Sequence, residues 1–264
     1  MNQSKDHIYL QGGRENQIVQ IDNCVHRPAG SWSKEVHRFL HHLRQQGFFN
    51  APEPFGFDAE GKEILSFIKG EVSNLLKGAS SIKTLTSAAK LLRHYHDASE
   101  RFLSTLPSNH CSIWQLPYRD PLEVMCHGDF APYNVVLNGE EAIGIIDFDT
   151  CHPGPRTWDI AYALYRWAPF TDPSNEEGFG SIKDQIARAQ LFSDAYGLAQ
   201  KDRKNMGNLI IERLQALVNF MYDQAKAGNE ACKLALKQQH DLIYLKDIEY
   251  IKTNKTLIEK SFDK

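Results

Sequence analysis

The sequence predicts an α+β protein of two lobes, a small antiparallel sheet plus one helix followed by a mainly helical second lobe. Three observations predict it. Short segments rich in β-branched and aromatic residues crowd the first seventy positions. Apolar residues at helical spacing dominate from Pro155 onward. Between these regions, VVL and AIGIID flank Asn138-Gly139, a dipeptide suited to a two-residue hairpin turn.

Taken in order, HIYLQ (7–11), QIVQID (17–22) and NCVHRP (23–28) read as strands, punctuated by Gly12-Gly13 and Asp22-Asn23. SWSKEVHRFLHHLRQQG carries Val36, Phe39, Leu40 and Leu43 on one face, with Ser33 as N-cap and Gly47 as stop. PEPFGFD and EILSFIKG read as a hairpin around Ala59-Glu60-Gly61. After Gly70 a long helix is predicted, with Leu85, Ala88, Ala89, Leu92, Tyr95 and Phe102 toward a core. Residues 105–122 read as a loop, and four helical stretches fill the chain after Pro155. The expected division is an N-terminal nucleotide-binding lobe over 1–70 and a C-terminal catalytic and substrate-binding lobe over 71–264.

Composition narrows the class. The 264 residues suffice for one large domain or two lobes with separate cores. A formal net charge of -3 excludes a general electrostatic binder of nucleic acid or membrane surfaces. MNQSKDHIYLQ lacks a basic head followed by an apolar run, so it does not read as a secretory signal. Five scattered cysteines without C-x-x-C fit a reducing compartment, and the expected location is the cytoplasm.

The chemistry concentrates in CHGDFAPYNVV (126–136) and GIIDFDTCHPGPR (144–156). Asp129 and Asn134 stand on one loop, and the hairpin returns the chain so that Asp147 meets them. Phosphoryl transfer needs such a set. One carboxylate orients the attacking hydroxyl and accepts its proton, while an amide and a second carboxylate hold Mg²⁺ against nucleotide phosphates.

HGDFAPYN followed by IIDFD resembles the aminoglycoside phosphotransferase family, which shares the protein-kinase-like fold, with a catalytic loop H-G-D-x-x-x-x-N and a D-x-D/E metal loop one hairpin later. The likeness extends over nearly the whole chain. It implies a Mg²⁺-dependent kinase of small molecules, with ATP or GTP as phosphoryl donor and a hydroxyl-bearing small molecule as partner. It implies Asp129 as catalytic base and Asn134 and Asp147 as metal ligands, with Asp149 as either a further metal contact or a loop cap. Gly12-Gly13 takes the place of the loop over the phosphates. Arg27 stands where the family has a phosphate-pairing lysine, sharing a strand face with Val25. Its acidic partner is expected on the first helix, where Glu35 is the only carboxylate but helical phase favours Val36 or His37. Ser66, Phe67 and Ile68 fall at the inter-lobe connector, where backbone groups of Ser66 and Ile68 would meet the adenine edge.

Blander readings stand beside these. Asp and Asn commonly cap turns. His127 is read as packing under the loop, and Asp159 as favourable to its helix through the dipole alone. Cys126-His127 and Cys151-His152 invite a zinc reading, although neighbours on a strand face opposite ways. From Cys151 to Lys264 there are sixteen Lys/Arg against fifteen Asp/Glu, so this region is not the acidic surface a polycationic antibiotic would favour. Its one acidic cluster, Asp172, Glu176 and Glu177, reads as a solvated loop. A nucleotide-binding pseudokinase serving as an interaction scaffold is the alternative function.

Overall fold

The computed structural model describes residues 7–10, 17–72, 80–107, 114–175 and 178–262. Strands β1 (His7–Tyr9), β2 (Val19–Ile21) and β3 (Cys24–Arg27) lead into helix α1 (Ser33–Gln45), then β4 (Pro54–Phe57) and β5 (Glu63–Ser66). These five strands form one antiparallel sheet in the order β1-β2-β3-β5-β4. The register sets Arg27 of β3 directly opposite Glu63 of β5.

Helix α1 is amphipathic, burying Val36, Phe39, Leu40 and Leu43. Trp32, not Ser33, is its N-cap; Ser33 Oγ instead accepts from the Gly30 N–H at 3.0 Å. The apolar core does not break at residue 70. Phe39 meets Tyr95, Phe102 and Phe148 at ring-centroid distances of 6.1, 4.9 and 6.4 Å, so α1 belongs to the same packed cluster as the second lobe. Separate cores are therefore not what the chain builds: a single helix on a small sheet finds its apolar cover on the next helix.

β6 (Glu71–Val72) leaves the first sheet and pairs with a strand of the second lobe. Helix α2 (Ile82–Ser99) follows, its first turn capped by Ser81, which accepts from the Lys83 and Thr84 N–H groups. A 3₁₀ turn (Glu100–Thr105) carries Phe102 into the core. Then come β7 (Val124–Cys126), β8 (Val135–Asn138), β9 (Glu141–Ile145) and β10 (His152–Gly154). The hairpin turn lies one residue beyond the sequence expectation. Asn138 pairs with Glu141, so Gly139 and Glu140 make the turn, with Gly139 at φ +60°. An irregularity in register between Val136 and Leu137 accommodates the shift.

Helices α3 (Arg156–Trp167), α4 (Ile182–Tyr196), α5 (Gln200–Arg203), α6 (Met206–Lys226), α7 (Glu230–Lys237) and α8 (His240–Phe262) complete the chain. Helix α4 begins with a reciprocal cap between Ser181 and Asp184 and ends at Gly197, φ +77°. Helix α6 packs against α3 and α8, and α4 packs against α2. Among the described residues, no helix is long and apolar enough to cross a membrane.

Candidate active site

Nested pairing builds the site. β7 pairs with β10 on the outside, and β8 pairs with β9 on the inside. The loop from β7 to β8 therefore lies beside the loop from β9 to β10. Gly128 shows how closely they approach. A Cβ there would lie 2.5 Å from the Thr150 carbonyl oxygen, and φ is +81°, so only glycine fits. Two hydrogen bonds lock the loops, Thr150 Oγ1 to the His127 carbonyl at 3.0 Å and the Ile146 N–H to the Asn134 carbonyl at 2.9 Å.

Asp129 sits half-buried on the first loop. Its Oδ1 accepts from the Tyr133 hydroxyl at 2.7 Å and its Oδ2 from the Asn134 Nδ2 at 2.9 Å. Burial pushes its pKa up; the Tyr133 bond and His127 pull it down, and the Asp147 charge pushes it up again. The net displacement is upward. Because Asn134 spends its amide nitrogen on Asp129, its carbonyl oxygen is left for another ligand. Asp147 occupies the left-handed region at φ 62° and ψ 70°, and its side chain is 47% exposed.

His127 acts beneath the loop. Its Nδ1 accepts from the Asp129 N–H at 3.3 Å, which leaves Nε2 to donate to the Ile146 carbonyl at 3.0 Å. One ring thus ties both loops together. Asp159 does more than complement its helix dipole. Fully buried, it accepts from the His127 N–H at 2.7 Å, the Gly128 N–H at 2.9 Å and His96 Nε2 at 3.0 Å. Burial alone would raise its pKa. Its bonds and charge contacts with His96 and His127 prevail and hold it at about 2. No local pattern announced this, because Asp159 reaches the loop from a helix thirty residues downstream.

Arg27 closes the site from the sheet side. Its Nε donates to Glu63 Oε1 at 2.6 Å, Nη1 to Asp147 Oδ1 at 2.7 Å and Nη2 to Asp149 Oδ1 at 2.7 Å. Burial works against the guanidinium charge, and Asp149, Asp147 and Glu63 more than restore it. The acidic partner expected on α1 is thus a correction. Glu35 pairs with Arg38 on its own helix, and Glu63 of β5 serves Arg27 because strand register puts it directly opposite. His37 does take part, through its Nε2 at 3.0 Å from Glu63 Oε2.

A cavity of about 590 Å³ lies between sheet and loops. Arg27, Ser66, Phe67, Ile68, Asp129, Asn134 and Asp147 all line it, so residues proposed from distant parts of the sequence converge on one space. Val25, which shares a strand face with Arg27, supplies an apolar wall together with Leu65, Val136 and Ile146, which sequence reasoning did not single out. Asp149 does not figure among the described lining residues; it lies on Arg27. The Ser66 N–H donates to the Glu53 carbonyl at 2.8 Å and so is already committed within the sheet. Gly12 and Gly13, like Glu176 and Glu177, lie outside the described residues.

The donors fit a hard divalent cation. Asn134 and Asp147 offer oxygen to the cavity, the ligand type Mg²⁺ prefers. The Arg27 guanidinium meets the carboxylates of Glu63, Asp147 and Asp149, so the cluster is rich in carboxylate oxygen. Zinc has no such seat among the described residues, where no group of three metal-binding His, Cys, Asp or Glu occurs. Cys126 Sγ points to the Pro155 carbonyl while His127 Nε2 points to Ile146, as strand alternation requires.

Known proteins resemble this chain in sequence and in fold. The phosphotransferase enzyme family (APH) matches residues 99–192, which span both loops. The trifolitoxin immunity protein of Rhizobium leguminosarum bv. trifolii is 31% identical over 229 residues, covering 84% of each chain. Among solved structures, Plasmodium vivax ethanolamine kinase superposes with a TM-score of 0.60 at 14% identity, over 92% of this chain and 83% of that one. An amicoumacin kinase in complex with AMP-PNP, Ca²⁺ and Ami superposes with a TM-score of 0.58 at 10% identity, over 88% of each chain.

Proposed function

The chain belongs to the phosphotransferase enzyme family and has a protein-kinase-like fold, and from that premise we propose that it passes the γ-phosphoryl group of ATP, or GTP, to a hydroxyl of a small molecule. One observation carries this reading. Asp129 and Tyr133 line the inter-lobe cavity and also a second cavity of about 420 Å³ on the other side of the loop. A donor in the first and an acceptor in the second meet at one carboxylate.

In this reading Asp129 is the base. The acceptor hydroxyl gives its proton to the carboxylate, the new O–P bond forms, and the bond to the bridging oxygen breaks to release nucleoside diphosphate. Tyr133 and Asn134 fix the orientation of the base through the two bonds described. Arg27 faces the phosphates as a planar fork. Val25, Val136 and Ile146 sandwich the base, with the Ser66 carbonyl and Ile68 backbone at its edge and Phe67 packing nearby. The Gly12-Gly13 turn is assigned to the phosphates from the sequence alone. Asn134 and Asp147 would hold Mg²⁺, which when bound neutralises phosphate charge; Asp149 joins them only if Arg27 releases it.

The acceptor is a small hydroxylated compound. The name of the 31% identical relative, an immunity protein, supports an antibiotic or toxin, whether or not an aminoglycoside. A hydroxylated metabolite is the other class. A screen of hydroxyl compounds with ATP and GTP, reading nucleoside diphosphate, tests the proposal; no acceptor-dependent release from any class would reject it.

A second reading rests on Arg27. Its guanidinium already bridges Asp147 and Asp149, the position a cation would take. A pseudokinase scaffold would keep that bridge and bind nucleotide without a metal. Nucleotide titrations with and without Mg²⁺ separate the two.

A further inference from the structure

We propose that the cavity on the acceptor side of Asp129 reads an oxyanion: it selects hydroxylated acceptors that also carry a carboxylate or phosphate, held by Arg119 and Arg213. The word acceptor rests on the phosphotransferase reading, but the anion site rests on this cavity alone.

Two guanidinium groups share one indole here. The Arg119 guanidinium carbon lies 3.5 Å from the Trp158 ring centroid, and that of Arg213 lies 5.6 Å from the same ring and 4.5 Å from the Tyr162 ring. Stacking fixes both planes without satisfying their N–H groups. Among the described residues, neither arginine has a carboxylate within ion-pair distance. Arg213 is only 4% exposed. Its Nη2 donates to the Gly128 carbonyl, while Nε is buried with no hydrogen-bond partner.

A buried guanidinium lacking a counter-charge is costly unless something else supplies one. Two other buried arginines have all three kinds of guanidinium nitrogen engaged: Arg27 meets three carboxylates, and Arg188 donates Nε, Nη1 and Nη2 to backbone carbonyls. Burial, and then the charge of Arg213, lower the pKa of Arg119, with Glu212 opposing them. An anion between the pair would relieve both penalties. Asp129 and Asp223 also line the cavity, yet neither forms an ion pair with the arginines. A carboxylate suits the site because a guanidinium fork meets its two oxygens in parallel. A polycationic aminoglycoside would instead bring ammonium groups against two fixed cations.

The test uses matched pairs in which one member carries an added carboxylate or phosphate: glycerate and glycerol, glycerol 3-phosphate and glycerol, serine and ethanolamine. Binding to the full chain is read by ligand-observed NMR in the presence of ADP, and turnover is read separately as diphosphate release. Within at least one pair the acid should bind about tenfold or more tighter than its partner. Arg119→Gln should abolish that ratio, and Arg119→Lys should restore it in part. Arg213→Gln should do the same, and the more exposed Arg119 variants decide the matter if loss of the Gly128 contact unfolds it. Equal or weaker binding of every acid, or an acid preference that survives Arg119→Gln, overturns the proposal. Acids that bind without diphosphate release would leave it standing and count against the phosphotransferase reading instead.

Discussion

Arg27 and Glu63 face each other across adjacent antiparallel strands, with Nε 2.6 Å from Oε1 and the Glu63 side chain fully buried. This pair anchors a cation that spans from the sheet to the Asp147 loop. Its consequences extend to stability as well as to nucleotide binding.

Removing one partner strands the other. Glu63→Ala leaves a buried guanidinium with one bond fewer and deprives His37 of its acceptor. The expected loss is about 3 kcal/mol of unfolding free energy, the scale for breaking a buried ion pair by removing one side. Urea denaturation measures it. A loss below about 1 kcal/mol would show that Asp147 and Asp149 suffice to hold Arg27.

Asp129 should dominate turnover and not nucleotide affinity. Asp129→Asn is expected to lower kcat by roughly 10²–10⁴-fold, the usual scale for a general base. Nucleotide affinity, measured by titration calorimetry, should stay within a few-fold of the parent. Wild-type turnover in this variant would remove Asp129 from the role of base.

The pH profile has a predicted sign. A base works when deprotonated, and the Asp129 pKa is displaced upward, first by burial. Acceptor-dependent kcat/KM should therefore fall on its acid limb at a pH above the ordinary carboxylate range. Tyr133→Phe removes a bond that favours the charged form, so the limb should move to still higher pH. A limb unmoved by Tyr133→Phe would detach it from Asp129.

Asp159 links the Asp129 loop to acid stability. Its pKa falls from an ordinary 3.8 to about 2 in the fold, where burial is outweighed by bonds and charge contacts with His96 and His127. A depressed carboxylate stabilises the fold above its unfolded pKa, and that stability is lost as pH falls from about 4 toward 2. The displacement corresponds to roughly 2 kcal/mol. Asp159→Asn should flatten the stability curve in that window and weaken catalysis by loosening the His127–Gly128 backbone. Denaturant titrations at stepped pH values provide the comparison.

Chelation and substitution of Asp147 should converge. With EDTA present, diphosphate release should cease. Asp147→Asn should weaken Mg²⁺–nucleotide binding by more than tenfold while leaving metal-free nucleotide binding much less affected. Equal affinities with and without Mg²⁺ would favour the scaffold reading.

By itself the sequence determined most of the elements and nominated a reactive set. Period-2 and period-3.6 patterns marked the strands and helices, and H-G-D-x-x-x-x-N with its following D-F-D named Asp129, Asn134 and Asp147. Those signals are local, since a loop and its neighbouring hairpin are written in consecutive residues. Only the tertiary structure decided which charges meet. Arg27 finds Glu63 across 36 positions, the His127 N–H finds Asp159 across 32, and Arg213 reaches Gly128 across 85. Strand register and helix packing set those encounters, and neither is encoded in any single stretch of chain. The one-residue shift of the hairpin turn is likewise a matter of register: Asn138 pairs with Glu141, and Ile143 of β9 is the extra residue opposite the Val136–Leu137 step, although Asn138-Gly139 alone places the turn earlier.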